Sequence, residues 1–147
     1  MKKRIGFGIL IIGVLAVFFV TRTKMPEYSP ERDYIDMEAQ ILEAFILAKD
    51  SSTIQLPEGH FLFSQSLSLD AKKHITIKGM GMDKTILSFK GQTQGAEGIK
   101  VTNSENITIE DLAVEDAAGD NIKVSDTDTL TLRNIRSAWT GEVSTEN

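Results

Sequence analysis

Residues 99–144 are one 23-residue unit written twice, and no other feature of the chain limits its fold as tightly. Ile99-Lys100-Val101 returns as Ile122-Lys123-Val124, Ile107-Thr108-Ile109 as Leu130-Thr131-Leu132, and Asp111-Leu112 as Asn134-Ile135. A short period carrying apolar-x-apolar triplets is the mark of a solenoid. Each triplet alternates inward and outward side chains, and the intervals between triplets are too short for a helix of three turns. Each unit therefore reads as one coil of three short strands, and the fold class as an all-β solenoid, a parallel β-helix.

A third copy would begin at Thr145, and the sequence runs only to Asn147 with no segment to cover the last coil. A rung of a solenoid buries its faces against its neighbours, so an uncovered rung exposes apolar side chains and unpaired backbone groups. The expectation is a fragment of a longer protein, truncated on the C-terminal side. The alternative is an open end that docks another chain.

The 147 residues hold no cysteine, which excludes disulfides, thiolate metal sites and an acylated-cysteine lipoprotein anchor. The net charge of -5 is unevenly placed: Lys2, Lys3, Arg4, Arg22 and Lys24 are the only charges of the first 24 residues, so all 21 acidic residues fall on the remainder. Such a body does not favour nucleic acid or an anionic membrane surface.

Lys2-Lys3-Arg4 precede an uncharged apolar run, residues 5–20, in the order of an export signal. The run leaves through Phe18-Phe19-Val20-Thr21-Arg22 with no small-residue cleavage site, so residues 1–24 read as an uncleaved signal anchor or a cleaved signal peptide. Either places the body outside the cytoplasm, periplasmic or extracytoplasmic, with residues 5–20 as the contact to the membrane. Residues 25–35, with Pro26 and Pro30, form a linker.

In residues 36–49, Met37, Ile41, Phe45 and Ala48 recur at helical spacing with Leu42 and Ile46 beside them, and Asp36 stands where an N-cap is expected. A single amphipathic helix ahead of a solenoid suits the task of capping its first coil. Residues 50–147 are then the β-helix, about four coils headed by Ile54, Ile75, Ile107 and Leu130 at intervals of 21, 32 and 23 residues. Phe61, Phe63, Leu67 and Leu69 belong to the inward set, and Pro57 to a corner where no ladder donor is lost. The extra residues of the second coil lie between Lys78 and Gly98, and loops leaving a regular solenoid often form one wall of a binding face.

Gly79-Met80-Gly81-Met82-Asp83-Lys84-Thr85 superficially suggests a phosphate loop, but Asp83 stands where glycine is required and a strand follows, so the glycines read as corners. Stacking the two copies places Asn103 over Asp126, Glu105 over Asp128, Glu110 over Arg133, and Asp111 over Asn134. Asp111 with Asn134 and Asn103 with Asp126 suggest polar ladders at corners. Glu105 with Asp128 is a like-charge pair that either splays into water or is bridged by a cation, for which calcium is the ion suited to carboxylate oxygens. No other cofactor is indicated. His60 and His74 read as corner decorations rather than bases. Trp139 falls at the position of Asp116 in the first copy and either stands outward as a sugar-stacking platform or covers the last coil.

Residues 50–147 resemble a bacterial family of exported proteins with parallel β-helix repeats, within the pectate-lyase-like superfamily. The resemblance is carried by Leu56-Pro57-Glu58-Gly59, by Gly79-Met80-Gly81-Met82-Asp83-Lys84-Thr85-Ile86-Leu87-Ser88-Phe89, by Gly95-Ala96-Glu97-Gly98, by Val114-Glu115-Asp116 and by Trp139-Thr140-Gly141. It implies a right-handed, single-stranded β-helix whose full-length members continue through further coils. The wider superfamily mixes lyases, hydrolases, epimerases and non-catalytic sugar binders, and no catalytic residue carries over position by position. The expected function is a non-catalytic, exported surface for polysaccharide or another envelope component. The alternatives are the N-terminal part of a polysaccharide lyase or hydrolase, and a purely structural module.

Overall fold

The computed structural model describes residues 33–141. The export segment expected at residues 1–24, most of the linker and the last six residues lie outside them. Among the described residues no helix is long and apolar enough to cross a membrane.

The chain order is α1 (Glu38–Leu47), β1 (Thr53–Gln55), β2 (Gly59–Leu62), β3 (Gln65–Asp70), β4 (Thr76–Lys78), β5 (Thr85–Ser88), β6 (Gln94–Thr102), β7 (Glu105–Glu115), β8 (Ile122–Ser125) and β9 (Asp128–Ala138). All strand pairs run parallel. They form a solenoid of about four turns with three faces. The first face stacks β1, β4 and the first halves of β7 and β9; the second stacks β2, β5 and the second halves of the same two strands; the third stacks β3, β6 and β8.

Period-two alternation explains the core. Ile54, Ile77, Ile109 and Leu132 occupy one inward column of the first face, and Phe61, Leu87 and Val114 one of the second. Leu67 over Ile99 and Leu69 over Val101 fill the third side, and Phe63 stacks on Phe89 with ring centroids 5.1 Å apart. Burying one such side chain contributes about 1.5–3 kcal/mol. Outward on the first face, Thr53, Thr76, Thr108 and Thr131 stand in one in-register row.

The register corrects the length of the first coil. Ile54 pairs with Ile77, not Ile75, so this interval is 23 residues rather than 21. A slip of one residue would turn every side chain to the other face, whereas a slip of two keeps each on its own, and apolar pattern alone does not detect it.

α1 closes the N-terminal end. Ile41, Phe45 and Ala48 are buried and Met37 packs partly against the core, but Ile46 is 69% exposed. At 100° per residue it stands about 140° round from Ile41, outside the stripe. Asp36 is not the N-cap: that position belongs to Met37, and no side chain caps the first turn. The helix is tied to the coils instead. The Glu38 carboxylate accepts from the Ser64 amide at 2.7 Å and its hydroxyl at 2.8 Å, and Lys72 Nζ donates to the Ala48 carbonyl at 2.7 Å.

Corners are turned by residues with positive φ, among them His74, Asn103, Asn106, Asp111, Asp116, Asp126 and Asn134. Asn and Asp tolerate this conformation best after glycine. Gly79 has a different reason: a Cβ there would lie 2.2 Å from the Asp111 carbonyl oxygen of the next coil.

Candidate ligand-binding corner

Where the second face turns into the third, the coils contribute a set of interlocked polar residues. Asp116, at φ 60°, follows β7 and starts the turn. Its carboxylate accepts from the Thr140 amide and the Thr140 hydroxyl, each at 2.5 Å. Asn121, buried in the same turn, accepts from the Ala117 amide at 2.9 Å and donates to Ser137 Oγ at 3.1 Å and the Ala138 carbonyl at 3.0 Å. Trp139 lies between these clamps, and its indole N–H donates to the Ala117 carbonyl at 2.9 Å. The side chain is nevertheless 61% exposed. The indole N–H bond fixes the ring at the corner beside Ala117.

The loop that lengthens the second coil reaches this corner. Gln92 accepts from the Ala118 amide at 3.1 Å through Oε1, while its Nε2 donates to the Glu97 carbonyl at 2.8 Å and Ser66 Oγ at 3.2 Å. Ser66, Ser68, Gln94, Glu97 and Lys100 line an open polar cleft of about 290 Å³ on the third face. Lys123, 3.1 Å from the Glu97 carboxylate, holds that carboxyl below its ordinary range. A second groove of about 350 Å³ between α1 and β1 is lined by Leu47, Ala48 and Ile54 together with Lys49, Ser52, Thr53 and Gln55.

The residues singled out from sequence are dispersed. Glu105 and Asp128 are register partners, but Lys73 Nζ lies 2.8 Å from the Glu105 carboxylate and holds it below the usual carboxylate range. Asn134 Nδ2 donates to Asp111 Oδ1 at 2.8 Å. Asn103 donates to Asp70 Oδ1 at 2.8 Å, toward the preceding coil, while Asp126 is exposed at the equivalent corner. Of the eight carboxylates between Glu105 and Asp128, Glu105 is engaged by Lys73, Glu110 by Lys78 and Arg133, Glu115 by Arg136 and Asp116 by Thr140. Among the described residues no three His, Cys, Asp or Glu side chains converge as a metal site.

His60 is not a corner decoration. It lies in β2, buried, with its Nε2 3.9 Å from Glu115 Oε2 and its ring 4.5 Å from that of Tyr34. Glu115 is fully buried, and its other oxygen accepts from Arg136, which also donates to the Met82 carbonyl at 3.2 Å. Sequence reasoning missed this group because Arg136 aligns with Ala113, so it meets Glu115 only on the diagonal. The Asp116 to Thr140 clamp was likewise hidden, one residue away from the 23-residue offset.

No family model, characterised protein or solved structure matches this chain.

Proposed function

We propose that this chain is an exported, membrane-anchored β-helix of right-handed coil sense that binds carbohydrate of the cell envelope without catalysing a reaction on it. The handedness follows the general preference of parallel crossovers. Export rests on the order of Lys2-Lys3-Arg4 before the apolar residues 5–20. The observation that carries binding is Trp139, an exposed ring fixed through its own indole N–H and by clamps on the residues either side. A large apolar ring normally becomes buried unless something else covers it, and a ring already ordered loses little entropy when a sugar stacks on it. The nearby cleft of serines, Gln94 and Lys100 offers hydrogen bonds to hydroxyls, the usual complement to a stacking surface.

Trp139 is the one tryptophan of the chain, so intrinsic fluorescence reports on it alone. Titration with solubilised envelope polysaccharide is expected to shift its emission, and Trp139→Ala to abolish binding while leaving the far-ultraviolet circular dichroism unchanged. Binding undiminished in Trp139→Ala would sink the reading. For export, alkaline phosphatase fused after Asn147 is expected to be active, since that enzyme folds only outside the cytoplasm; an intact but inactive fusion would refute it.

A second reading, part of a polysaccharide lyase or hydrolase, is favoured by the buried Glu115 beside His60, because a desolvated carboxylate next to an imidazole is a common acid and base arrangement. Prolonged incubation with polysaccharides separates the two. New reducing ends or unsaturated products that disappear in Glu115→Gln would establish the enzyme.

A further inference from the structure

We infer that Gln92 is the positioning residue that joins Trp139 to the polar cleft, so that the ligand is an oligosaccharide chain lying along the solenoid axis rather than a single sugar. This rests on the reading of Trp139 as the stacking surface. One peptide unit carries the connection. The Ala117 carbonyl accepts from the Trp139 indole at 2.9 Å, and the amide on the other side of the same peptide bond, that of Ala118, donates to Gln92 Oε1 at 3.1 Å. Gln92 Nε2 in turn donates to the Glu97 carbonyl at 2.8 Å, with Ser66 Oγ and the Gln94 carbonyl at 3.2 and 3.3 Å. The orientation of the Gln92 amide is forced, because a backbone N–H only donates and a carbonyl only accepts. Hydrogen bonds linked through amide groups polarise and strengthen one another.

The register sets the direction of the ligand. Ser66 belongs to the first coil, Gln92 and Glu97 to the second, Ala117 and Ala118 to the third, and Trp139 to the fourth. Three strand spacings of about 4.8 Å separate Trp139 from Ser66 by about 14 Å along the axis, more than one sugar ring covers. At the cleft end Ser66 Oγ donates to the Glu97 carbonyl at 2.5 Å and accepts from Gln92, which leaves one lone pair for a ligand hydroxyl. Gly95, at φ 76°, makes room for this group, since a Cβ there would collide with Ser66 Oγ. Lys100, over Ser68 in register and lining the same cleft, supplies further donors. Both ends of the Gln92 side chain are engaged within the protein, so it acts through Trp139 and Ser66 and not by touching the sugar. A ring and a hydroxyl held at fixed separation favour a chain that reaches both, because neither contact has to be ordered afresh when the other forms.

The test compares Gln92→Ala, which removes both connections, with Gln92→Glu, whose carboxylate still accepts from Ala118 but donates to nothing. Time-resolved fluorescence anisotropy of Trp139 in the full chain without ligand is expected to show a ring as rigid in Gln92→Glu as in the original and more mobile in Gln92→Ala. Both variants are expected to lose at least tenfold in affinity for solubilised envelope polysaccharide. The monosaccharides released from that polysaccharide by complete hydrolysis are expected to bind the original chain and Gln92→Glu alike. A ring equally mobile in the original and in Gln92→Ala overturns the inference, as does polysaccharide affinity undiminished in both variants. If Trp139→Ala abolishes binding and Gln92→Ala keeps it, this inference fails and the stacking reading stands; if the original chain binds no polysaccharide, both fail.

Discussion

Asn134 donates its side-chain amide to the Asp111 carboxylate across 2.8 Å, and both residues hold left-handed backbone angles, φ 52° and 57°. This one contact turns β7 and β9 from the first face of the solenoid to the second without interrupting either strand. In the second coil the same turn takes the longer loop between β4 and β5. The backbone conformation selects Asn and Asp, and stacking of coils lets each satisfy the other.

Asn134→Ala is expected to destabilise the protein by about 1–3 kcal/mol, since it removes the hydrogen bond and places a Cβ without local compensation in a left-handed conformation. Asn134→Gly loses the same hydrogen bond but relieves the backbone. Urea denaturation of the two variants should therefore rank glycine above alanine; the reverse order would show that the corner is not held in this conformation.

The pair formed by Glu115 and Arg136 gives a larger effect. Glu115 is fully buried, and Arg136→Met leaves its charge without the guanidinium, at an expected cost of about 3–5 kcal/mol. Adding Glu115→Leu should restore much of the loss, because an apolar pair of similar size needs no compensation. Thermal denaturation of the single and double variants measures the difference, and a double variant no more stable than Arg136→Met would show that the site needs a charged residue.

The core and the corners were not equally legible in the sequence. Columns such as Ile107 over Leu130 follow from period-two alternation and a 23-residue offset, and both survive as physical constraints because each coil repeats the one below. The first coil was misjudged by two residues for the same reason: Ile54 fits over Ile75 as well as over Ile77 by pattern, and only backbone pairing separates them. The Trp139 clamp was legible only in part. Its partners Asp116, Ala117 and Asn121 sit in an irregular turn, where side-chain direction is set by backbone angles that no periodicity encodes. The pairing of Glu105 with Lys73 escaped because it crosses the lengthened second coil, where the 23-residue offset does not apply.

Acid should unfold the protein through the outward columns. The hydrogen bond from Arg133 holds the Glu110 carboxyl below its ordinary range, Lys73 does so for Glu105, Lys123 for Glu97, and the Thr102 hydroxyl for Asp70. A carboxyl depressed in the folded state contributes stability that is complete above its unfolded value and is lost as pH falls through the folded one. Stability is therefore expected to hold from neutral pH down to the upper edge of the carboxylate range and to decline below it. Glu110→Gln should lower stability at pH 7 and flatten the acid limb, which melting curves between pH 3 and pH 7 would detect as a smaller change in Tm.

Calcium provides the remaining test, at Asp128. Glu105 lies beneath it in register but is engaged by Lys73, so the two carboxylates need no cation to coexist. Asp128→Asn removes the like charge stacked in register on Glu105 and is expected to raise Tm slightly, by about 1–2 °C, equally in chelator and in millimolar calcium. A bridging cation predicts the opposite. Calcium would then raise the Tm of the original chain by binding the folded state selectively, and Asp128→Asn would abolish that rise. The sign of one substitution measured in calcium thus separates a strand edge held by its lysine from one held by a metal ion.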